Sequence, residues 1–562
     1  MNKAGVFIGS LLSIVMLVSC SAPQPKETVQ ASENDKPKIV NIINFIRLLE
    51  PRSEEITEDV LYQTVVKQVE MMQKYRLGGT FLLQYDALLD SRYQTLLKSL
   101  PDSSFEIGGW FEIPQPLVEN AGMKWRGRYP WDWHADVGFA TGYTPEEREN
   151  LVDVYMEDFK KILGYYPKSM GCWFIDAHSL KYMYDKYGIV ASCNCKDQVG
   201  TDGYTMWGGY WSQAYYASAK NAYMPAQNAE NQIPVPIFRM LGSDPIHQYD
   251  NGLGTSHQGV VSLEPVYTGG GGDSTWVNWY FKHFVEGECL EFAYVQTGQE
   301  NSFTWGSMKK GFEIQIPLIA QLRDEHKIKV ETLAESGEWF SRKYKTTPAT
   351  SVTVLEDVPG SNQKTVWFNS RFYRANLNWD KGTLRFRDVH LFDENLASKY
   401  LTERGTSTQC IYYTLPFVDG YFWSSRKTTA GLWFKAEKDG KEILLKGAEL
   451  STAHSENETL NVVWKLDDGS GTFTISLDEN NTKVTFDGDS DLKWYLTLDV
   501  AENAELPFTS VEAQNAKMNF ENIDYKVEAG RGNFVVHAAS KVFRILPDKN
   551  EVVLNFSDRA VD

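Results

Sequence analysis

The chain has 562 residues and a formal net charge of −18, with 42% hydrophobic and 23% charged residues. That length exceeds what one hydrophobic core serves, so two or three domains are expected. The acidic balance argues against nucleic acid and anionic membrane surfaces as partners, since both call for basic patches. Aromatic residues reach 13%, with 17 Trp, 29 Tyr and 29 Phe. Such rings suit a carbohydrate site, where sugar C–H faces stack, or equally a large β-sandwich core.

Lys3 gives the N-terminus a short basic start, and residues 4–18 are almost wholly apolar. Leu17-Val18-Ser19-Cys20 follows, then a polar, proline-containing tract from Ser21 to Lys38. The apolar run is too short to anchor stably across a ~30 Å hydrocarbon core, and residues 1–20 read as a signal peptide. Its ending resembles the lipobox of bacterial lipoproteins. That resemblance implies lipidation of Cys20 and an exported chain, periplasmic or at the cell surface, touching a membrane only through the lipid. The other cysteines, Cys172, Cys193, Cys195, Cys289 and Cys410, are odd in number, and Cys193-Asn194-Cys195 is not a zinc spacing. Buried free thiols are expected.

Residues 21–37 read as a linker. From 38 to about 348, strand-like runs alternate with amphipathic helical stretches. Strands are expected at 39–46, 78–85, 105–113, 170–175, 235–241, 260–263 and 290–295. A helix over 57–76 places Leu61, Val65, Val69 and Met72 on one face behind an acidic first turn. Thr144-Pro145-Glu146-Glu147 is a helix start with a capping box. Further helices are expected over 179–187 and 314–325. The alternation predicts parallel strands, most economically a (β/α)7–8 barrel. Beyond residue 349 period-2 runs and turn signals dominate, so residues 349–562 are expected to form a large antiparallel β-sandwich. The fold class is therefore α/β followed by all-β.

In such barrels reacting groups lie at the C-terminal ends of strands. Those positions hold Asn44 and Arg47, Gln84 and Asp86, Trp110 and Glu112, Asp176, Asp244 and His247, Glu264, and Gln299 and Glu300. Glycoside cleavage needs paired carboxylates, one protonated to release the leaving oxygen and one ionised. The same acids could instead be ion-pair partners of Arg47, Arg126, Arg128 and Arg239. The segment Trp125 to His134, with Trp131, Asp132 and His134, is the densest aromatic and charged stretch of the barrel. It is expected to face the mouth and bind substrate, as is the polar loop from Lys196 to Tyr204 through Asp202. Arg387-Asp388-Val389-His390 reads as an interdomain salt-bridge element.

Gly171-Cys172-Trp173-Phe174-Ile175-Asp176 resembles the third region of family 57 glycoside hydrolases, and Asp176 falls on that family's nucleophile. Gly109-Trp110-Phe111-Glu112 is similar to its second region, and Tyr294 to Glu300 to its fourth. The family's acid/base position falls on Gln296 or Thr297, and Asn41-Ile42-Ile43-Asn44 lacks the first-region histidine. An aspartate nucleophile resembles the related family 38 mannosidases. The whole chain also resembles a lipoprotein family of gut-type bacteria.

These readings imply a glycan-active protein without a cofactor, a retaining glycoside hydrolase with Asp176 as nucleophile and Glu300 or Glu264 as acid/base. A non-catalytic glycan binder on a degenerate barrel is the alternative, and a metal-dependent polysaccharide deacetylase a second one. The latter would need a non-standard cluster of His134, Asp136, His178 and His247.

Overall fold

The computed structural model describes residue 1 and residues 36–201, 203–358, 361–455, 458–536 and 542–557. The expectations at Cys20 and Asp202 lie outside the described residues. Residues 36–562 form one compact unit.

Besides the short strand Lys329–Glu331, which pairs in parallel with the first strand off the main path, seven parallel strands build its first layer. These are β1 (Lys38–Ile46), β2 (Gly79–Leu83), β3 (Phe105–Trp110), β4 (Ser169–Gly171), β5 (Ala191–Asn194), β6 (Gln232–Arg239) and β7 (Ala293–Thr297). Their order in space is β7-β1-β2-β3-β4-β5-β6, with every neighbouring pair parallel. Helices cover the sheet, so β1 is buried along nearly its whole length and reads as an apolar run. Three helix starts follow from local chemistry. Thr57 caps α1 (Glu58–Lys74), and a capping box with proline at the first turn opens α2 (Pro145–Leu163). Asp176 caps α3 (Ala177–Tyr187).

The sheet curls without closing through its backbone. Among the described residues no ladder joins β6 to β7. Instead the rings of Phe238 and Tyr294, 4.8 Å apart, pack across the seam. The strand expected at 260–263 is also missing as a strand, and forms only the isolated bridge Ser243↔Ser262. Its backbone is taken by loop partners: the Val261 N–H donates to Gln248 Oε1 at 2.6 Å, and the Leu263 N–H to Leu241 O. The run at 170–175 is a strand only to Gly171. Beyond it Cys172 and Cys195 keep single backbone bonds to Cys193 and Trp173, a frayed ladder.

From Thr350 onward the sheets are antiparallel. One large sheet begins at Thr350–Val354, and a second of eight strands runs from Glu449–His454 to Glu551–Asn555. Period-2 burial, as in Leu460–Lys465 and Gly471–Leu477, turns one face inward. Phe473 packs against Phe434 at 5.2 Å and Trp494 at 5.1 Å, joining the two sheets through one core.

Two devices bind the antiparallel region to the parallel sheet. Cys410–Tyr413 pairs in parallel with Tyr204–Trp207, a strand inserted after β5 that begins where the polar loop read in the sequence ends. Arg374 donates to Asp197 at 2.5 Å and grips Asp388 through two bonds of 2.8 Å. Arg387 also donates to Ile246 O at 2.8 Å and to Asp250 at 3.1 Å. The five cysteines Cys172, Cys193, Cys195, Cys289 and Cys410 are buried free thiols.

Removing one partner of a buried ion pair strands the others, at a cost of about 3–5 kcal/mol. Arg374→Met is therefore expected to lower the chemical-denaturation midpoint by a corresponding amount. An unchanged midpoint would show that Asp197 and Asp388 need no counter-charge.

Candidate functional site

Three strand ends meet at one guanidinium. β1 runs into Arg47, β3 into Glu112, and β7 through a turn into Glu300. The turn depends on Gly298, whose φ is +105° and where an added Cβ would stand 2.1 Å from Ile43 O. No side chain fits there, so β7 can cross β1 closely. Asn301 then staples the two strand ends, accepting from the Arg47 N–H at 2.9 Å and donating to Arg47 O at 2.8 Å.

Arg47 Nε and Nη2 hold Glu112 at 2.8 and 2.7 Å, a fork-to-fork pair. Its Nη1 donates to Glu300 in a short contact. Gln84 Nε2 adds a bond to Glu112 at 2.9 Å, and Ser302 Oγ one to Glu300 at 2.7 Å. The Trp131 ring lies over the guanidinium at 4.3 Å, and Arg52 packs on Trp131 and Trp133 at 5.3 Å each. Trp173 and Phe139 complete the wall around a cavity of about 20 Å³. Below lies Trp110, stacked on Phe45 at 4.0 Å and edge-on to Trp173 at 5.6 Å.

Burial pushes the Glu300 carboxyl above its ordinary range, against the pull of Arg47. Asp86, at the end of β2, is pushed up to about 7, chiefly by burial. Backbone N–H groups at Ala87 and Leu48 oppose that rise, and Glu112 adds to it. One Asp86 oxygen accepts from the Ala87 N–H at 2.7 Å.

The structure thus brings together Arg47, Glu112, Glu300 and Trp131, with Trp110 beneath. It places the other expected residues differently. Asp176 is 1% exposed and caps α3, accepting from the Ser179 N–H at 2.9 Å and its hydroxyl at 2.7 Å. Its remaining bond comes from the buried Arg148 at 3.0 Å. With both oxygens committed to a cap and an ion pair, Asp176 has a structural position rather than a nucleophile's. Glu264 accepts from Ser262 Oγ at 3.0 Å and Gln299 Nε2 at 3.2 Å, beside the grouping and outside its wall.

Asp132 serves the loop itself. Burial works against its charge, but bonds from Arg128 at 2.9 and 2.7 Å outweigh this and hold the carboxyl at about 2. His134 precedes the short helix Ala135–Gly138. Asp244 ties its own turn and accepts from Trp276 Nε1 at 2.8 Å. His247 contacts Asp357 at 3.0 Å, and His178 contacts Glu149 at 3.0 Å. Among the described residues no three His, Cys, Asp or Glu side chains converge as a metal site. The residues present do not fit a deacetylase metal centre, since His178 and His247 each pair with a separate carboxylate on different elements. Sequence reading missed Arg52, Phe139 and Trp173 as wall residues; only the aromatic density of 125–134 pointed toward this side.

No family model and no curated protein matches the chain. It is similar to a solved Parabacteroides distasonis protein provisionally described as a glycoside hydrolase/deacetylase. That match has 17% identity and a TM-score of 0.49 over 67% of this chain and 88% of that one. A Mycobacterium smegmatis protein provisionally described as a polysaccharide deacetylase matches at 11% identity and a TM-score of 0.36, over 57% and 95%. A 4-alpha-glucanotransferase from Thermococcus litoralis matches at 9% identity and a TM-score of 0.30, over 93% and 98%.

Asp86 gives a pH signature. Its folded pKa of about 7 lies above the unfolded value, so the folded state holds more protons between the two. Its contribution to stability is present at low pH and is lost as pH rises from about 4 through 7. Asp86→Asn is expected to flatten that decline in melting temperature and to be the more stable protein at pH 8. Parallel pH profiles for the two proteins would contradict the assignment.

Proposed function

We propose that this chain is a glycan-active hydrolase working from the pocket at Arg47, with Glu300 as proton donor and Glu112 as its charged counterpart. The observation that carries this reading is the meeting of two carboxylates, from distant strand ends, inside one aromatic-walled pocket. Breaking a glycosidic bond requires a proton for the departing oxygen and negative charge near an oxocarbenium-like centre. Burial raises Glu300 toward the protonated form that the first task needs. Glu112 offers charge for the second, positioned by Gln84 and Arg47.

The cavity holds room for roughly one water, so a sugar ring enters only when Trp131 leaves the face of Arg47. The segment Trp125 to His134 acts as a lid in this reading. A sugar then takes the place of the guanidinium on the Trp131 face, and its hydroxyls take up Arg47 donors. Both groups are buried, so opening gives up a desolvated cation–π contact of about 2 kcal/mol, which the sugar's own stacking on Trp131 must replace.

The Arg47 clamp also favours a second reading. It occupies both oxygens of Glu112, leaving neither free to attack carbon, as suits a glycan binder without turnover. Incubation of the protein with a glycan library, with products read by mass spectrometry, separates the two. The hydrolase reading expects shortened products from the parent protein and a loss of about 10²–10⁴-fold in Glu300→Gln. Asp176→Asn should lose stability yet keep its turnover per folded molecule. Retained glycan binding without products would establish the binder, and an inactive but fully folded Asp176→Asn would restore Asp176 as nucleophile.

A further inference from the structure

A second cavity, of about 50 Å³, lies where the seam of the parallel sheet meets the strand Thr350–Val354. Its wall is aromatic, with Trp211, Trp279 and Tyr280 among the contributors, yet it contains Lys196. Lys196 is only 3% exposed. Among the described residues its amine forms no hydrogen bond or ion pair, and its nearest recorded partner is the Trp211 face at 5.4 Å.

The acids that could neutralise it are already spent. Asp197 accepts from Arg374 at 2.5 Å, from the Gly208 N–H at 3.0 Å and from Tyr223. Asp244 accepts from Trp276 Nε1 and two backbone N–H groups. Four more polar atoms of wall residues are buried without partners among the described residues: Gln213 Oε1, His283 Nε2, Tyr294 Oη and Thr353 Oγ1. Buried polar groups are nearly always hydrogen-bonded, so such a convergence calls for an occupant. Burial, reinforced by the neighbouring Arg239 charge, pushes the Lys196 amine down to about 7. Burial and the Lys282 charge likewise lower His283.

We propose that this cavity binds a small hydroxy-aldehyde or hydroxy-ketone and that Lys196 condenses with its carbonyl to a reversible imine. An amine desolvated in an apolar pocket beside another cation is a nucleophile of this kind. The Nζ lone pair forms a bond to the carbonyl carbon while the C=O π pair moves to oxygen. A proton passes from nitrogen to that oxygen, giving a carbinolamine. The oxygen then takes a second proton from Tyr294 Oη and leaves as water while the nitrogen pair closes the C=N bond, and the iminium N–H returns that proton to the tyrosine oxygen. Amine and carbonyl give imine and one water, with no oxidant or reductant. Tyr294 Oη and His283 Nε2 stand on the wall as proton relays, and Gln213 and Thr353 receive the hydroxyl. The cavity volume matches roughly three or four waters, which limits the ligand to a few heavy atoms. This site is independent of the Arg47 pocket.

The test uses glycolaldehyde with cyanoborohydride, which reduces any imine to a stable secondary amine, on the full chain at pH 7. Peptide mapping is expected to find Lys196 labelled about tenfold faster than exposed lysines such as Lys427, because surface amines stay protonated at that pH. Tyr294→Phe, which retains the ring at the seam, should slow labelling of Lys196 without altering labelling of Lys427. Label spread over surface lysines with Lys196 unmodified, or modified no faster than they are, would overturn the proposal.

Discussion

A guanidinium taken out of water must find carboxylates, because burying an isolated charge costs several kcal/mol even after relaxation. Arg47, 2% exposed, meets that demand with Glu112 and Glu300 together. The consequence is positional. The fork leaves Glu112 little freedom, and Nη1 with Ser302 holds Glu300, so the ends of β1, β3 and β7 are tied to one another by charge as well as by the sheet. The mouth of the curled sheet takes its shape from that grouping. Arg374 repeats the solution deeper in the molecule, where Asp197 and Asp388 lock the antiparallel region to the parallel sheet.

The same constraint shapes the cover. A guanidinium engaged in its own plane by Glu112, Glu300 and Ser302 still presents its face, and Trp131 covers it. The floor, made of Trp110 on Phe45 with Trp173 edge-on, is rigid packing with no polar partner for the indole N–H of Trp110. The pocket therefore combines a fixed electrostatic base with an aromatic cover.

Much of the framework is legible from sequence. Thr144-Pro145-Glu146-Glu147 specifies its own helix start through the capping box, and the period-2 runs of the antiparallel region need one wet and one dry face. What stays hidden is pairing at a distance. Asp176 stands at a strand end, and so passes for a reacting group, but Asp176-Ala177-His178-Ser179 is equally a helix cap, and the cap prevails. A signal for that outcome was present in the chain. Its Arg148 partner on α2 carried none. The seam between β6 and β7, packed by Phe238 and Tyr294, is likewise a matter of rings meeting across space. The short strand Cys410–Tyr413 is too brief for periodicity to show.

The grouping at Arg47 supports the fixed mouth, the lid and the proposed chemistry alike. Double-mutant cycles in chemical denaturation, pairing Arg47→Met with Glu112→Gln and separately with Glu300→Gln, measure it most directly. Coupling of about 2 kcal/mol or more in both cycles is the expected result, since contacting groups in one network fail additivity by 0.5–3 kcal/mol. Additive losses in either cycle would mean that the two carboxylates do not share that guanidinium.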